Sequence, residues 1–245
     1  MAGSVIEIFS SVQGEGPLVG CRQVFIRLSG CNLHCVFCDT LAGAEPNFCR
    51  IEQHPGKRDY KQALNPLTAA EVAAAAADFN LSRHHSVSLT GGEPLLHCNF
   101  IKELAPLLQG SRHGIYLETN GTLAAELAGV IDLIDIVGMD FKLPSISGLP
   151  PLWEEHQQFL KIAGQKDVFV KVVAGANTLA TEIETAASLI KEIDAGITMV
   201  IQPVSPAGGV RGVAPGRLLE LQSLALNILA DVRVIPQTHK IMGQL

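Results

Sequence analysis

Three cysteines near the start of the chain have the spacing that says most about chemistry. Cys31, Cys35 and Cys38 form a Cys-x3-Cys-x2-Cys run. Thiolates are the protein ligands of iron–sulfur clusters, and a four-iron cluster normally takes four of them. Three closely spaced cysteines can bind three irons and leave the fourth iron open to a small molecule. The run therefore favours a [4Fe-4S] cluster with one open coordination position.

Two other interpretations of the run stay open at this point. A structural zinc site usually has four Cys or His ligands in two close pairs, and His34 lies inside the run without a second pair. The thiols can also be inert, although a disulfide framework is disfavoured because the chain has only six cysteines and they are clustered. We interpret Cys21, Cys49 and Cys98 as buried or incidental thiols. If Cys49 were a fourth ligand, the cluster would have no open coordination position.

The second motif is the glycine-rich run Gly91-Gly92-Glu93-Pro94. A Gly-Gly pair after a strand lets the backbone approach a ligand closely, although the same pair occurs in ordinary turns. Together, the two motifs resemble those of the radical S-adenosylmethionine (SAM) superfamily. In that superfamily the methionine end of SAM chelates the open iron. The resemblance implies that Gly91, Gly92 and Glu93 bind SAM, with Phe37 against the adenine and Asp39 also in the cofactor site.

The elements that would position these motifs alternate along the chain. Short apolar runs alternate with helical patterns, which is typical of βαβ units and a parallel sheet. Strands are predicted at residues 24–28, 86–90, 115–118, 134–139, 168–173, 198–202 and 232–235. Helices are predicted at residues 67–80, 99–108, 123–131, 152–163, 179–194 and 215–229, the first with Thr68 and Glu71 spaced as a capping box.

Length and order of elements indicate the fold class. A chain of 245 residues with 47% hydrophobic content matches one α/β barrel. We predict a single-domain, incomplete TIM-type β/α barrel of the radical SAM kind over residues 1–245, with N- and C-terminal segments that bind substrate. Residues 41–66 have mixed polarity and little periodicity, so we predict an inserted loop that forms a lid, a reductase-docking surface or a dimer contact.

Polar residues follow almost every predicted strand. The C-terminal ends of parallel strands carry the active site of a β/α barrel, so these residues are expected to meet at one face. Lys142 and Lys171 are interpreted equally well as solvated end charges, since lysine is usually exposed. The strand-end groups are Arg27 to Cys31, Thr90 to Pro94, Glu118 to Gly121, Asp140, Lys142, Lys171, Gln202 and residues 236–240.

Composition argues against several classes of protein. A net charge of −6 disfavours a broad nucleic-acid surface, which would normally be basic. No apolar stretch approaches the ~20 residues of a membrane span, and the first residues lack the basic and apolar segments of a signal peptide. We therefore expect a cytoplasmic enzyme without a nucleic-acid or membrane partner.

Both ends of the chain resemble the 7-carboxy-7-deazaguanine synthases. The resemblance is carried by residues 8–16 (IFSSVQGEG), 25–31 (FIRLSGC) and 234–240 (VIPQTHK), and by Cys38-Asp39-Thr40. It implies that a 6-carboxytetrahydropterin contracts to a deazaguanine with loss of ammonia, on the route to queuosine-type nucleosides. It also implies a homodimer and an external electron donor of the flavodoxin or ferredoxin type.

The resemblance also implies roles for individual residues. Arg27 can make a bidentate pair with the substrate carboxylate, and we expect Arg27, Glu15 and His239 to be catalytic. The expected substrate contacts are Val12, Gln13, Gly14, Glu15, Arg27, Thr90 and His239, several of which offer donors and acceptors to a flat heterocycle. Further SAM contacts are expected at Glu118, Asn120, Asp140, Lys142, Ser145 and Gln202. The Thr40 hydroxyl is expected to bind Mg²⁺, an ion that prefers oxygen ligands.

Two alternative functions remain. Asp140 and Lys142 also resemble the Asp-x-Lys element of glycyl-radical enzyme activases, which act on a protein substrate. An activase needs a groove for a peptide, whereas residues 13–15 together with His239 favour the pterin. The other alternative is a zinc-binding interaction module without catalysis, which would be colourless when purified without oxygen.

Overall fold

A ten-stranded sheet forms the centre of the protein. The computed structural model describes residues 1–38, 46–205 and 209–244. The strands are β1 (Ala2–Gly3), β2 (Val5–Val12), β3 (Arg22–Leu28), β4 (Phe48–Glu52), β5 (Tyr60–Leu64), β6 (Leu67–Thr68), β7 (Ser86–Gly91), β8 (Ile115–Thr119), β9 (Ile136–Phe141), β10 (Asp167–Ala174), β11 (Thr198–Pro203) and β12 (Val232–Val234).

The strand order of the sheet is that of an incomplete barrel. It runs β12-β11-β10-β9-β8-β7-β3-β2-β4-β5, while β1 and β6 form a separate pair. Strands β3 and β7 to β12 are mutually parallel, β2 is antiparallel to β3, and the β4–β5 hairpin continues the sheet beyond β2. Within the described ranges the sheet begins and ends on different strands, so it is open there, as the predicted fold class requires.

Helices flank the parallel part of the sheet, and all of the described helices except the last contain buried apolar residues. They are α1 (Ala69–Ala77), α2 (Cys98–Leu104), α3 (Ala124–Ala128), α4 (Pro144–Ser147), α5 (Trp153–Ala163), α6 (Ala180–Ile193), α7 (Pro215–Leu226) and α8 (Thr238–Met242). The capping box of α1 is present, since the Thr68 hydroxyl accepts from the backbone N–H of Glu71 and the Glu71 carboxylate accepts from that of Thr68. None of these helices is both long and apolar enough to cross a bilayer.

Every strand and helix predicted from the sequence is present, with bounds shifted by a few residues. Two differences have a physical cause. Helix α2 ends at Leu104 and a 3-10 turn follows, because Pro106 has no N–H with which to continue the helix. A strand over Val5–Val12 precedes the predicted first strand, and it pairs with β3 along nearly its whole length.

The inserted loop predicted for residues 41–66 is wrong where the structure describes it; residues 41–45 lie outside the described residues. Strands β4 and β5 form an antiparallel hairpin, and β4 pairs in parallel with β2. Burial alternates along β4, with Phe48 and Arg50 exposed and Cys49 and Ile51 buried. That alternation is the pattern of a half-buried strand. The hairpin is therefore part of the sheet and brings Arg50 to the central cavity.

Candidate active site

Side chains at the C-terminal ends of the parallel strands line one cavity of about 450 Å³. The polar residues that follow the predicted strands therefore meet, as expected for a barrel active site. Residues of both terminal segments also line the cavity. The strand-end and terminal residues in its wall include Gln13, Gly14, Glu15, Arg27, Thr90, Gly91, Gly92, Glu118, Asn120, Asp140, Lys142, Lys171, Gln202, Gln237 and His239.

The cysteine loop, residues 30–38 directly after β3, forms one end of the cavity. Cys31, Cys35 and Cys38 all line it. The backbone N–H of Leu33 donates to Cys31 Sγ at 3.4 Å, and Asn120 Nδ2 approaches the same sulfur at 3.9 Å. Burial raises the pKa of the Cys35 thiol, while the nearby Lys142 ammonium acts in the opposite direction.

The glycines after β7 allow the backbone to lie directly against the cysteine loop. A Cβ at Gly92 would overlap the carbonyl oxygen of Gly30 and lie 2.9 Å from Cys31 Cβ. The backbone N–H of Glu93 donates to Gly30 O at 2.8 Å. This close approach holds the cysteine loop over the strand ends.

The donor set fits a cluster better than a single metal ion. In the described part of the chain, no three His, Cys, Asp or Glu side chains are arranged to bind one ion. Zinc requires all of its ligands at about 2.0–2.3 Å from one point. In an iron–sulfur cluster each thiolate binds its own iron, so three cysteines that face one cavity are a suitable arrangement.

Four largely buried charged residues, the charge chain, line the cavity. Lys142 Nζ lies 2.9 Å from Asp140 Oδ2, Lys171 Nζ lies 3.2 Å from the same oxygen, and Lys171 also pairs with Glu15. Burial acts to raise the pKa of Glu15 and of Asp140, but the lysines outweigh it and both pKa values are lowered. Burial acts to lower the pKa of Lys171, but Asp140 and Glu15 outweigh it and the pKa is raised. All these groups are therefore ionised at neutral pH.

The two terminal segments meet at the other end of the cavity. Gln237 Nε2 donates to Glu15 Oε1 at 2.6 Å, and the backbone N–H of Thr238 donates to Gly14 O at 2.9 Å. The imidazole of His239 packs so closely on Gly14 that a Cβ there would overlap it. Residues 13–15 are thus held by the segment that follows β12.

A hydrogen-bonded group links the first terminal segment to the strand ends. Gln13 Nε2 donates to Glu118 Oε1 at 2.6 Å, and Thr90 Oγ1 donates to Glu118 Oε2 at 2.6 Å. Both carboxylate oxygens of Glu118 are therefore occupied, one by Gln13 just after β2 and one by Thr90 on β7. The predicted substrate residues Gln13 and Thr90 share one acceptor, which fixes their relative position.

Arg27, on β3, also lines the cavity. Its Nε donates to Glu7 Oε1 at 2.9 Å, and its guanidinium carbon lies 5.8 Å from the centre of the Phe9 ring. Arg50, from the β4–β5 hairpin, binds the other oxygen of Glu7. No motif marks Arg50 in the sequence, where its signal is limited to the polar–apolar alternation of residues 48–51.

Two residues predicted to bind SAM do not line the cavity. Glu93 is fully buried and accepts hydrogen bonds from the backbone N–H of Leu95 at 3.0 Å and of Asn120 at 2.7 Å. Burial raises the pKa of Glu93 to about 7. Ser145 donates its backbone N–H to Glu182 at 2.8 Å, and its hydroxyl binds the same carboxylate. Both residues fasten cavity loops to the barrel.

The structure brings together the other described candidates. All expected substrate contacts line the cavity, as do the SAM candidates Phe37, Gly91, Gly92, Glu118, Asn120, Asp140, Lys142 and Gln202. Asp39 and Thr40 lie outside the described residues. Cys21, Cys49 and Cys98 do not line the cavity, and burial raises the pKa of Cys49 to about 12. Lys171 and Gln237 also line the cavity; the sequence placed them among the strand-end groups without assigning them a role.

Comparison with known proteins identifies the family. The model of the radical SAM superfamily matches residues 25–203. The chain is 49% identical to the 7-carboxy-7-deazaguanine synthase of Geobacter sulfurreducens, over 98% of this chain and 96% of that protein. It belongs to the 7-carboxy-7-deazaguanine synthase family. The synthase of Methanothermobacter thermautotrophicus is 35% identical, over 99% of this chain and 98% of that protein.

Solved structures agree with this family in fold. The crystal structure of QueE from Escherichia coli superposes with a TM-score of 0.62 at 24% identity, over 98% of this chain and 95% of that chain. Membership of the radical SAM superfamily implies a [4Fe-4S] cluster and SAM. Neither the activase nor the zinc module is favoured, because the curated relatives that match nearly the full length are 7-carboxy-7-deazaguanine synthases.

Proposed function

We propose that the chain converts 6-carboxytetrahydropterin to 7-carboxy-7-deazaguanine with loss of ammonia, in the biosynthesis of queuosine-type nucleosides. The observation that carries the proposal is a single cavity with two different ends. Cys31, Cys35 and Cys38 line one end, and the charge chain leads from Lys142 beside Cys35 to Glu15 in the terminal segments at the other; Arg27 lines the same cavity. A redox cofactor and a small carboxylated heterocycle would thus share one enclosed space.

The cysteine end fits the cofactors of the family. When bound there, the cluster and SAM supply the radical chemistry of the superfamily, and the protein orients and shields it. The three cysteines would hold the cluster. Phe37, whose ring centre lies 5.5 Å from Lys142 Nζ, would contact the adenine, and the backbone of Gly91 and Gly92 would receive the methionine end. Glu118, Asn120, Asp140, Lys142 and Gln202 complete the proposed SAM contacts.

Gln202 and Asp140 offer specific support for a polar ligand in the cavity. Gln202 Oε1 and Asp140 Oδ1 are buried, and neither has a hydrogen-bond partner among the described residues. A buried acceptor without a partner costs about 1–3 kcal/mol. A ligand with hydroxyl or amino donors, such as the ribose or the amino group of SAM, would satisfy both oxygens.

The other end fits the substrate. The guanidinium of Arg27 would bind the pterin carboxylate through charge-assisted hydrogen bonds. Glu15 is held ionised by Lys171, so it offers an acceptor to ring N–H groups, and Gln13, Thr90 and His239 offer further donors and acceptors. Val12 and Gly14 complete the proposed wall.

The two lysines of the charge chain stay protonated and are not suited to act as bases. The pKa values of Lys142 and Lys171 are both raised by buried carboxylates after the opposing effect of burial. Each therefore stays an ammonium and donates hydrogen bonds, but does not act as a base. Their role in the proposed reaction is to fix Asp140 and Glu15 beside the ligands.

Further parts of the proposal rest on the family. Mg²⁺ would bind the Thr40 hydroxyl, with Asp39 beside the cofactor. A flavodoxin or ferredoxin would supply the electron, since radical SAM enzymes need a reductant. We further propose a cytoplasmic homodimer in which residues 1–245 form one radical SAM core domain. The contact of Gln237 with Glu15 supports a substrate-binding role for both terminal segments.

The direct test is product formation. Anaerobically reconstituted, reduced protein should be incubated with SAM, Mg²⁺ and 6-carboxytetrahydropterin, and the products identified by mass spectrometry. We expect 7-carboxy-7-deazaguanine and ammonia. SAM cleavage without any deazaguanine would remove the proposed substrate while leaving the cofactor assignment in place. Protein with Cys35→Ala serves as the control for cluster-independent background.

A further inference from the structure

Three charged residues lie side by side across three neighbouring strands of the sheet. Glu7 on β2 is the register partner of Arg27 on β3 and of Arg50 on β4. An irregularity in the β2–β3 register between Val5 and Glu7 precedes this row. A β-bulge re-aims the side chains that follow it. The arginine row, Arg27–Glu7–Arg50, is thereby directed at the cavity, which all three residues line.

The contacts within the arginine row are short and use both oxygens of Glu7. Arg27 Nε lies 2.9 Å from Oε1, and Arg50 Nη2 lies 2.6 Å from Oε2. The side chain of Glu7 is 8% exposed, that of Arg27 24% and that of Arg50 52%. Glu7 is therefore the buried centre of the row, Arg27 is partly exposed, and Arg50 is its most exposed member.

The charge balance of the row requires Arg50. Glu7 alone would neutralise Arg27 and leave a net charge of zero on this wall. The second guanidinium restores one net positive charge, which matches one carboxylate on a ligand. Arg50 is also positioned by the Tyr60 ring, whose centre lies 5.2 Å from its guanidinium carbon.

Arg27 is oriented so that it can receive that carboxylate. Glu7 contacts its Nε, and within residues 1–38, 46–205 and 209–244 Arg27 makes no further ion pair. The two terminal nitrogens of a guanidinium form the fork that binds a carboxylate with two hydrogen bonds. Because Glu7 holds the Nε side, those terminal nitrogens remain for a ligand.

We propose that Arg50 is a specificity-determining residue that gives the cavity its selectivity for a carboxylated pterin over the same pterin without a carboxylate. This inference rests on the proposed function. Arg50 acts by supplying the net positive charge of the arginine row and by holding Glu7, which in turn orients Arg27. Because the Arg50 side chain is half exposed, its effect is modest and weakens with salt.

The test measures binding without turnover. Holoenzyme with its cluster, SAM and Mg²⁺, but without reductant, should be titrated anaerobically with 6-carboxytetrahydropterin and with tetrahydropterin in a calorimeter. Arg50→Gln keeps a donor for Glu7 but removes the charge, and Arg50→Lys restores the charge. Lys61→Ala is the matched control, since it removes a positive charge from the same hairpin at an exposed position outside the cavity wall.

We expect Arg50→Gln to weaken binding of the carboxylated pterin about fivefold and to leave tetrahydropterin binding unchanged. Arg50→Lys should recover most of the loss, and Lys61→Ala should bind both ligands like the wild type. The wild-type preference for the carboxylated ligand should also fall as ionic strength rises, a result that needs no variant.

Other outcomes separate this inference from the proposed function. If the wild type binds the carboxylated pterin and Arg50→Gln changes both ligands equally or neither, the role of Arg50 is overturned while the function stands. A wild-type preference that is insensitive to salt overturns it as well. If the wild-type holoenzyme binds neither pterin, the proposed substrate is wrong, and the role of Arg50 falls with it.

Discussion

Lys171 Nζ lies 3.2 Å from Oδ2 of Asp140 while it also pairs with Glu15. One ammonium thus joins a residue of the proposed SAM site to a residue of the proposed substrate site. Asp140 has Lys142 as a second cationic partner, whereas Lys171 is the one cation paired with Glu15 in the described part of the chain. Lys171 is therefore the member of the charge chain whose loss leaves the largely buried Glu15 carboxylate without a counter-charge.

Lys171→Met should destabilise the protein by about 1–3 kcal/mol, because removing one partner of a largely buried ion pair leaves the other charge uncompensated. The measurement is the free energy of unfolding in guanidinium chloride at pH 7. Lys191→Met on α6 is the control, since Lys191 is exposed and should change stability little. Equal stability of the two variants would contradict a structural role for the charge chain.

The same variant has a predictable pH dependence. The folded-state pKa of Glu15 lies below its ordinary value of 4.5, so Lys171 stabilises the wild type above pH 4.5. That stabilisation is lost as pH falls through the lowered pKa. The stability difference between wild type and Lys171→Met should therefore be largest at neutral pH and shrink below pH 4.5. A difference that stayed constant down to pH 3 would exclude the carboxylate partner as its cause.

Glu93 should show the opposite dependence. Its pKa is raised from 4.5 to about 7 by burial, so the protonated form is favoured in the folded state. This contribution is fully present below pH 4.5 and is lost as pH rises through 7, which corresponds to about 2–3 kcal/mol between pH 5 and pH 8. Glu93→Gln cannot titrate. Unfolding curves of both proteins across this range should therefore diverge, and parallel curves would refute the raised pKa.

Gly92→Ala should disturb the cysteine loop. The new Cβ would overlap the carbonyl oxygen of Gly30 and crowd Cys31, and overpacking of this kind costs about 1–3 kcal/mol. We expect lower iron content after reconstitution and weaker SAM binding. Gly216→Ala is the control, because a Cβ at Gly216 has no heavy atom within 4 Å among the described residues. Wild-type iron content in Gly92→Ala would show that this contact does not shape the cluster site.

Iron content also tests the assignment of the cysteines. Cys35→Ala should abolish the cluster, because the family chemistry requires one thiolate for each of three irons. Cys49→Ala should retain wild-type iron, since Cys49 is buried on β4 away from the cavity. The measurement is the ratio of iron to protein, together with the visible absorption of the cluster. Loss of iron in both variants would reopen a ligand role for Cys49.

The parallel part of the barrel was predictable because its strands are buried on both faces and read as apolar runs. The residues 115–118 and 168–173 are examples, and their observed strands are only slightly longer. The β4–β5 hairpin was not predicted, because half of its side chains face solvent and its alternation is short. Strand β4 is stabilised by its pairing with β2, whose residues are distant in the sequence, so a local pattern does not predict it.

The same holds for the site: residues that belong to a motif could be predicted, and residues whose role depends on contacts with distant parts of the chain could not. The three cysteines could be predicted because their spacing is that of cluster ligands. Gly92 could be predicted because a Gly-Gly pair after a strand marks a close approach of the backbone. Spacing does not say where a side chain points, so Glu93 was expected in the cofactor site although it faces inward. The role of Arg50 could not be predicted from the sequence, because it depends on the register that pairs Arg50 on β4 with Glu7 on β2.

The closure of the cavity by Gln237 has a consequence for the order of folding. Gln237 and Glu15 are 222 positions apart, whereas Asn120 and Cys31 are 89 positions apart. A contact between distant positions carries the larger loop-closure entropy and forms only after the later segment has left the ribosome. We therefore expect a nascent chain to assemble its cysteine end first. Cluster insertion could then precede the contacts that Gln237 and Thr238 make with Glu15 and Gly14.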